Sequence, residues 1–404
     1  MNSIGLFNGT VMTGFSAMEN CAVFVEDNLI TDVISQKRFE QKKFNPEAGL
    51  YNVNGCYIVP GLIDTHIHGF AGFGTEDAFE SAEKGAESIL EMSARLAQYG
   101  VTAFNPTLFP EEPELLLQAV RAASSVIGRE KGARIMGLHL EGPFISKDRL
   151  GAMKPESLMQ VDISYMEKLW NASLGRIVNM TVAPELKGMR ELALFCIKKG
   201  IILQAGHTDA KYENMVEGMQ VGILHSTHLF NAMSRMEHRN PNAVGAILIH
   251  PEISCEIIAD GIHIHPDLYK LLIRDKSNDK IIMITDALKA TEQKEGPLLS
   301  NGVEMILRDG VFRRKVDDVI SGSSLTMIKG IKNLEAFGFS LEDAVKTASF
   351  NPAQVMRYRN KGAIIPGHDA DLTVFDRDFN VQMVMIGGKI IKNHFKQEEN
   401  QCVY

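Results

Sequence analysis

Eight apolar runs of strand character alternate with helix-forming segments between residues 58 and 286. They are IVPGLIDTHIH (58–68), VTAFNPTL (101–108), RIMGLHLE (134–141), RIVNMTVAPE (176–185), IILQAG (201–206), GILHSTH (222–228), SCEIIAD (254–260) and KIIMITD (280–286). Stretches such as FESAEKGAESILEMSARLAQYG and ELALFCIKKG read as helices between them. Eight β-then-α units over ~250 residues predict a closed (β/α)8 TIM barrel. Continuous rather than alternating apolar runs suit strands buried on both faces.

Both chain ends have another character. AVFVEDNLITDVI reads as two strands about an Asp-Asn turn, GLFNGTVMTG as Gly-rich hairpin material, and DADLTVFD and VQMVMIGGKII as strands with a Gly387-Gly388 turn. Neither end alone has enough strands to bury a core. The expectation is therefore an α/β chain in two parts. Residues 1–58 and 355–404 make a small composite β-sandwich domain, and 59–354 form the barrel inserted between its halves.

The net charge of −8, with no dense Lys/Arg block, disfavours nucleic-acid binding. The five cysteines (Cys21, Cys56, Cys196, Cys255, Cys402) are scattered and contain no CxxC pair, which argues against a disulfide framework or a cysteine zinc site. The start, MNSIGLFNGTVMTG, lacks a signal peptide's basic and apolar regions, and no run approaches the ~20 residues that span a membrane. A cytoplasmic location is expected.

Metal-binding and proton-handling side chains gather at the downstream ends of these runs: His66 and His68, Glu141, His207, His228, His263 and Asp286. All strand C-termini of a parallel barrel open on one face, so these residues are expected to converge there. His66 and His68, two apart on a strand, share a face. Burying Glu141 is costly unless a cation pairs with it. Together with His207 and His228 it makes the donor set of an open catalytic site for a divalent metal, one or two ions. Zinc suits His and carboxylate ligands, and Fe, Co or Mn remain open. Asp286 is assigned as general base, then acid. Asn231 and Arg239 lie on one loop, where a guanidinium could clamp a phosphate. His263 is a candidate substrate contact, and His265 a weaker one. His139 and His225 read as packing or supporting histidines.

The motifs HLEGP, AGHT, THLFNAM, ADGIH, TDA and SGSSLTM occur in that order, and the set resembles the N-acetylglucosamine-6-phosphate deacetylases of the amidohydrolase superfamily. The resemblance runs from PGLIDTHIHG to GHDADLTVFD. It implies hydrolysis of the acetamide of a phosphorylated N-acetyl amino sugar in amino sugar catabolism, usually by a homodimer. It implies metal ligation by Glu141, His207 and His228, proton transfer by Asp286, and sugar phosphate contacts from Asn231, Ala232, Arg239 and His263. Because His66 and His68 are present, the chain resembles the branch with a second metal bridged by Glu141. Two positions depart from the family pattern. Met153 in LGAMKPE stands where relatives carry a substrate-contacting His, and Asn240 stands where Glu is common. A thioether cannot donate a hydrogen bond, so N-acetylgalactosamine 6-phosphate stays open as the substrate. Rival readings are a deaminase or N-acyl amino acid hydrolase on the same scaffold, and a degenerate barrel kept for binding.

Overall fold

The computed structural model describes residues 3–41 and 48–398. The first five strands are β1 (Ser3–Met12), β2 (Ala17–Glu26), β3 (Leu29–Ser35), β4 (Gly49–Asn52) and β5 (Tyr57–Pro60). β1 and β2 pair antiparallel, as do β2 and β3, while β4 and β5 run parallel to β1. The Asp27-Asn28 turn joins β2 to β3 as expected. The GLFNGTVMTG segment does not form a hairpin. It is a single strand, β1, with a register shift between Leu6 and Gly9, where Asn8 takes φ 65°. The extra residue is absorbed as a bulge, and the chain continues in one direction.

Eight parallel strands follow: β6 (Leu62–Ile67), β7 (Val101–Leu108), β8 (Leu138–Glu141), β9 (Ile177–Val182), β10 (Ile202–Ala205), β11 (His225–Ser226), β12 (Ser254–Ile258) and β13 (Ile281–Ile284). Each pairs with the next from β6 to β13. Backbone bonds from Asp286 N to His66 O (2.9 Å) and from His68 N to Ala287 O (3.0 Å) join the last strand to the first at the downstream mouth. All eight apolar runs thus become barrel strands, forming the TIM barrel. The first run contributes two strands, because Gly61 breaks it and Tyr57–Pro60 joins the other sheet. Helices Ala82–Gln98 and Met189–Lys199 fill the two segments read as helical.

A third sheet is inserted after β13: β14 (Gly296–Ser300), β15 (Val303–Arg308) and β16 (Val311–Arg314), antiparallel throughout. It packs Met305, Leu307 and Phe312 against Phe109, Ile145, Met153 and Leu288 at the barrel mouth. Three strands of the C-terminal part follow, β17 (Leu372–Phe375), β18 (Val381–Ile386) and β19 (Lys389–Asn393), and the short strand Gln397–Glu398 after them pairs with β4. β17 to β19 extend the first sheet in the order β19-β18-β17-β5-β1-β2-β3. Leu6, Val23 and Ile58 from one end share a core with Leu372, Val374 and Met383 from the other. The four described free cysteines are all buried, and Cys402 lies outside the described residues. No described helix is long and apolar enough to cross a membrane.

Candidate metal centre

Glu141 ends β8 and stands at the centre of the site. Its Oε1 lies 3.1 Å from His228 Nε2, 3.2 Å from His207 Nε2 and 3.4 Å from His66 Nε2, while Oε2 lies 3.0 Å from His68 Nε2. Asp286 Oδ1 lies 3.4 Å from His68 Nε2 and 3.6 Å from His66 Nε2. Two groups result, each able to hold a metal ion: His66, His68 and Asp286, and Glu141, His207 and His228. All six residues are buried.

The backbone is bent to bring them there. His207, His228 and Asp286 each lie two residues beyond a strand end, with φ of 46°, 21° and 51°. Non-glycine residues in this region are strained and cluster at functional sites. Gly206 lets His207 approach, since a Cβ there would lie 2.5 Å from Thr227 Cβ. At φ +51°, Gly322 of the SGSS motif passes where a Cβ would meet Asp286 O at 2.9 Å. Ser323 N then donates to that same carbonyl at 2.7 Å, fixing the loop that carries Asp286.

Ring tautomers show whether a cation fits. His207 Nδ1 faces the carbonyl of Arg149 at 2.9 Å, and His68 Nδ1 the carbonyl of Thr107 at 3.1 Å. A carbonyl only accepts, so both Nδ1 atoms carry the hydrogen and both Nε2 atoms present lone pairs. His66 Nδ1 meets Glu256 Oε2 at 3.0 Å, and its Nε2 is buried without a hydrogen-bond partner among the described residues. His207 Nε2 and His228 Nε2 face each other at 3.2 Å. Lone pairs and carboxylate oxygens converging in a buried space repel unless positive charge lies among them, and a divalent cation fits that requirement.

The site's electrostatics also call for positive charge. Burial alone would raise the Glu141 pKa, but the neighbouring imidazoles of His66, His207 and His228 hold it well below the ordinary carboxylate range. Burial would lower His66 and His68, yet Glu141 and Asp286 hold both above the ordinary imidazole range. Asp286 is likewise held low, chiefly by His66 against the effect of burial. His139 is different: burial and the neighbouring His66 keep it neutral, between Thr107 Oγ1 (3.1 Å) and Thr181 Oγ1 (2.9 Å). It belongs to neither ligand group. His225 packs behind the site, its Nδ1 on Ser254 Oγ at 2.8 Å.

A cavity of about 230 Å³ opens over the centre. His68, Glu141, Met153, His207, His228, Asn231, Ala232, His263 and Asp286 line it, so nearly every residue singled out in the sequence meets there. His263 is held by Asp260, whose Oδ2 lies 2.6 Å from its Nδ1. His265 is exposed and caps the helix Pro266–Asp275 instead. Met153 packs with Phe109 and Leu288. Arg239 is exposed and lines an adjoining cavity with Arg149, Asp209 and Asn240. No Lys or Arg lines the central cavity among the described residues.

Sequence reading missed two contributors. β14–β16 supply Ser300, Asn301, Val303 and Met305 to the cavity wall. Their turns, Asn301-Gly302 and Asp309-Gly310, are strong hairpin signals. The second is Glu256, a fully buried carboxylate inside the apolar run SCEII, behind His66.

A parallel eight-stranded barrel with His and carboxylate groups poised for metal at its downstream mouth defines a metal-dependent hydrolase. The sequence profile of the amidohydrolase family matches residues 57–391, and the chain belongs to that family. Within it, the chain is similar to N-acetylglucosamine-6-phosphate deacetylases. That of Bacillus subtilis (strain 168) is 33% identical over 386 residues, covering 94% of this chain and 95% of the relative. The Homo sapiens protein is 31% identical over 364 residues, 87% of each. The structure of the Mycobacterium smegmatis deacetylase D267A mutant in complex with N-acetyl-D-glucosamine-6-phosphate superposes with a TM-score of 0.89 at 27% identity, covering 97% of this chain and 100% of that one. The Thermotoga maritima deacetylase gives 0.84 at 26%, covering 96% and 99%.

Proposed function

We propose that this chain hydrolyses the acetamide of N-acetylglucosamine 6-phosphate, releasing acetate and glucosamine 6-phosphate. The observation that carries the reading is the meeting of Glu141, His207, His228, His66, His68 and Asp286 at one centre, five of them lining the cavity above it and His66 lying behind, in a chain whose relatives along most of its length are deacetylases of that sugar phosphate. Glu141, His207 and His228 would hold one cation, and His66, His68 and Asp286 a second. Zinc is the metal that best suits the donor set. Bound there, a divalent cation supplies Lewis acidity and makes hydroxide available near neutral pH.

The chain's own groups do the rest. Asp286, ionised at neutral pH, takes the proton of the attacking water at Oδ1 or Oδ2 and passes it to the departing amine nitrogen. Asn231, Ala232 and His263 contact the sugar phosphate from the cavity wall, and Asp260 orients His263. Arg239, on the loop that leaves the wall at Ala232, is the proposed cation for the phosphate, although its side chain lines the adjoining cavity and not this one. Met153 with Phe109 and Leu288 gives the cavity an apolar side, as an acetyl methyl requires. Among the described residues, the composite β domain (1–58 and 355–404) contributes none to the cavity, and it serves as scaffold to the 59–354 barrel. Exposed apolar side chains on successive outer elements, Leu194, Ile197, Leu224 and Ile249, suit a homodimer. The proposed location is cytoplasmic.

Acetate release from N-acetylglucosamine 6-phosphate and N-acetylgalactosamine 6-phosphate, with metal quantified in the same sample, tests the reading. Turnover is expected on the gluco sugar. Turnover confined to the galacto sugar would reassign the substrate, and ammonia without acetate would reject deacetylation.

A further inference from the structure

Asp64 is buried on Thr285 and the His66 backbone without a lysine, but three other buried carboxylates outside the site sit beside lysines: Asp371 with Lys361 at 2.6 Å, Glu111 with Lys154 at 2.6 Å, and Asp77 with Lys289 and Lys84. Glu256 has no such partner. It is wholly buried in β12, and its ion partners among the described residues are the imidazoles of His66 and His225, at 3.0 and 3.6 Å. Its other contacts are donors. His228 N approaches Oε2 at 3.4 Å and Gln204 Nε2 approaches Oε1 at 3.3 Å. Gln204 continues a polar ladder down the barrel, through Asn179 and Asn105 to the Tyr358 hydroxyl. The ladder brings dipoles to Glu256 but no countercharge.

Leaving a carboxylate there without a countercharge would be strongly destabilising. The nearest place for positive charge is the far side of the His66 ring. A carboxylate that accepts the Nδ1 hydrogen of an imidazole fixes its tautomer and strengthens Nε2 as a metal donor. We infer that Glu256 is the positioning residue that makes the His66, His68 and Asp286 group a cation site, and that its charge sets the occupancy of that group and not of Glu141, His207 and His228. The backbone contact with His228 holds a loop and leaves the donor atom of that residue unaffected.

The inference rests on the two-cation reading above, and the test separates the two. Chelated protein is titrated with Zn²⁺ and with Co²⁺ by calorimetry and by cobalt absorption, for wild type, His66→Asn, Glu256→Gln and Glu256→Asp. Two classes of site are expected in wild type, with His66→Asn losing one. Glu256→Gln should weaken that same class about 10- to 100-fold, leave the other class unchanged, and raise or hold the melting temperature of the chelated protein, never lower it. Glu256→Asp keeps the charge but withdraws it from the ring, and should fall between. A purely structural Glu256 would lower the melting temperature of chelated protein and weaken both classes together. Both classes at wild-type affinity in either folded Glu256 variant would overturn the inference while leaving two cations in place. A single class in wild type, untouched by His66→Asn, would overturn the two-cation reading and this inference with it.

Discussion

Asp286 is the residue on which the proposed chemistry turns. Among the described residues its carboxylate is the one acidic group lining the cavity besides Glu141, and Glu141 is surrounded by four imidazoles. Asp286→Asn removes proton acceptance while keeping size and hydrogen bonding. Turnover is expected to fall about 10²- to 10⁴-fold, the usual contribution of a positioned general acid–base, with cations at Glu141, His207 and His228 retained. Acetate release at the wild-type rate from metal-loaded Asp286→Asn would remove it from that role. At this scale the sequence was informative because donor side chains ending apolar strands have few structural uses. Glu256 escaped notice because it sits inside its strand, where the run reads as uniformly buried and nothing marks which face a single acid takes. The exposed placement of Arg239 was equally illegible, since the path of a loop past Ala232 depends on packing and not on residue type.

The three-stranded insertion, β14 to β16, is the element that shapes the cavity wall. Its tip is latched from outside: Glu76 Oε2 accepts from Ser300 Oγ at 2.9 Å and from Asn301 N at 2.7 Å. Glu76→Ala frees that tip, which also carries two cavity residues. Hydrogen bonds to a charged group contribute ~1.5–3 kcal/mol each, and only part of that loss reaches the substrate. A rise in KM of about fivefold with kcat nearly unchanged is expected, along with faster proteolysis at 300–303. An unaltered KM would show that the tip does not touch substrate. The loop after β12 offers a pH test. Burial opposes ionisation of Asp260, yet hydrogen bonds from His263 and Ile262 hold its pKa below the ordinary 3.8. A depressed carboxyl stabilises the fold above its unfolded pKa and loses that contribution as pH falls through the folded value. Asp260→Asn should therefore flatten the loss of urea stability below pH 3.8 and leave the curve at pH 5–8 parallel to wild type. An unchanged acid limb would count against it. Barrel strands were legible because both faces are buried, so each run is mostly apolar even where Asn105, Asn179 and Gln204 face the barrel interior. The insertion was not, because its exposed edges carry charges that dilute the apolar pattern despite its two Gly turns.

At the scale of the molecule, the barrel is closed where the site is. The last strand meets the first through bonds such as Asp286 N to His66 O and His68 N to Ala287 O, flanked by ligand residues. The ligands come from β6, β8, β10, β11 and β13: a cation held by His66, His68 and Asp286 would tie β6 to β13 across that seam, and one held by Glu141, His207 and His228 would tie β8, β10 and β11. That the two chain ends would share a sheet followed from counting strands. The seam could not be read from sequence, because it depends on which strand ends lie level in space. A ligand that binds only the folded state stabilises it by RT ln(1 + [L]/Kd), about 2.7 kcal/mol at 100 times Kd. Chelation should therefore lower Tm by roughly 5 °C for a cooperative unit of this size, and Zn²⁺ should restore it in a concentration-dependent way. Hydrogen exchange gives the location. Protection should fall at β6 and β13 on chelation and hold in β1, β2, β17 and β18, whose shared core lies in the other sheet. A Tm indifferent to chelation, or protection lost first in the composite sheet, would mean that the cation does not close the barrel.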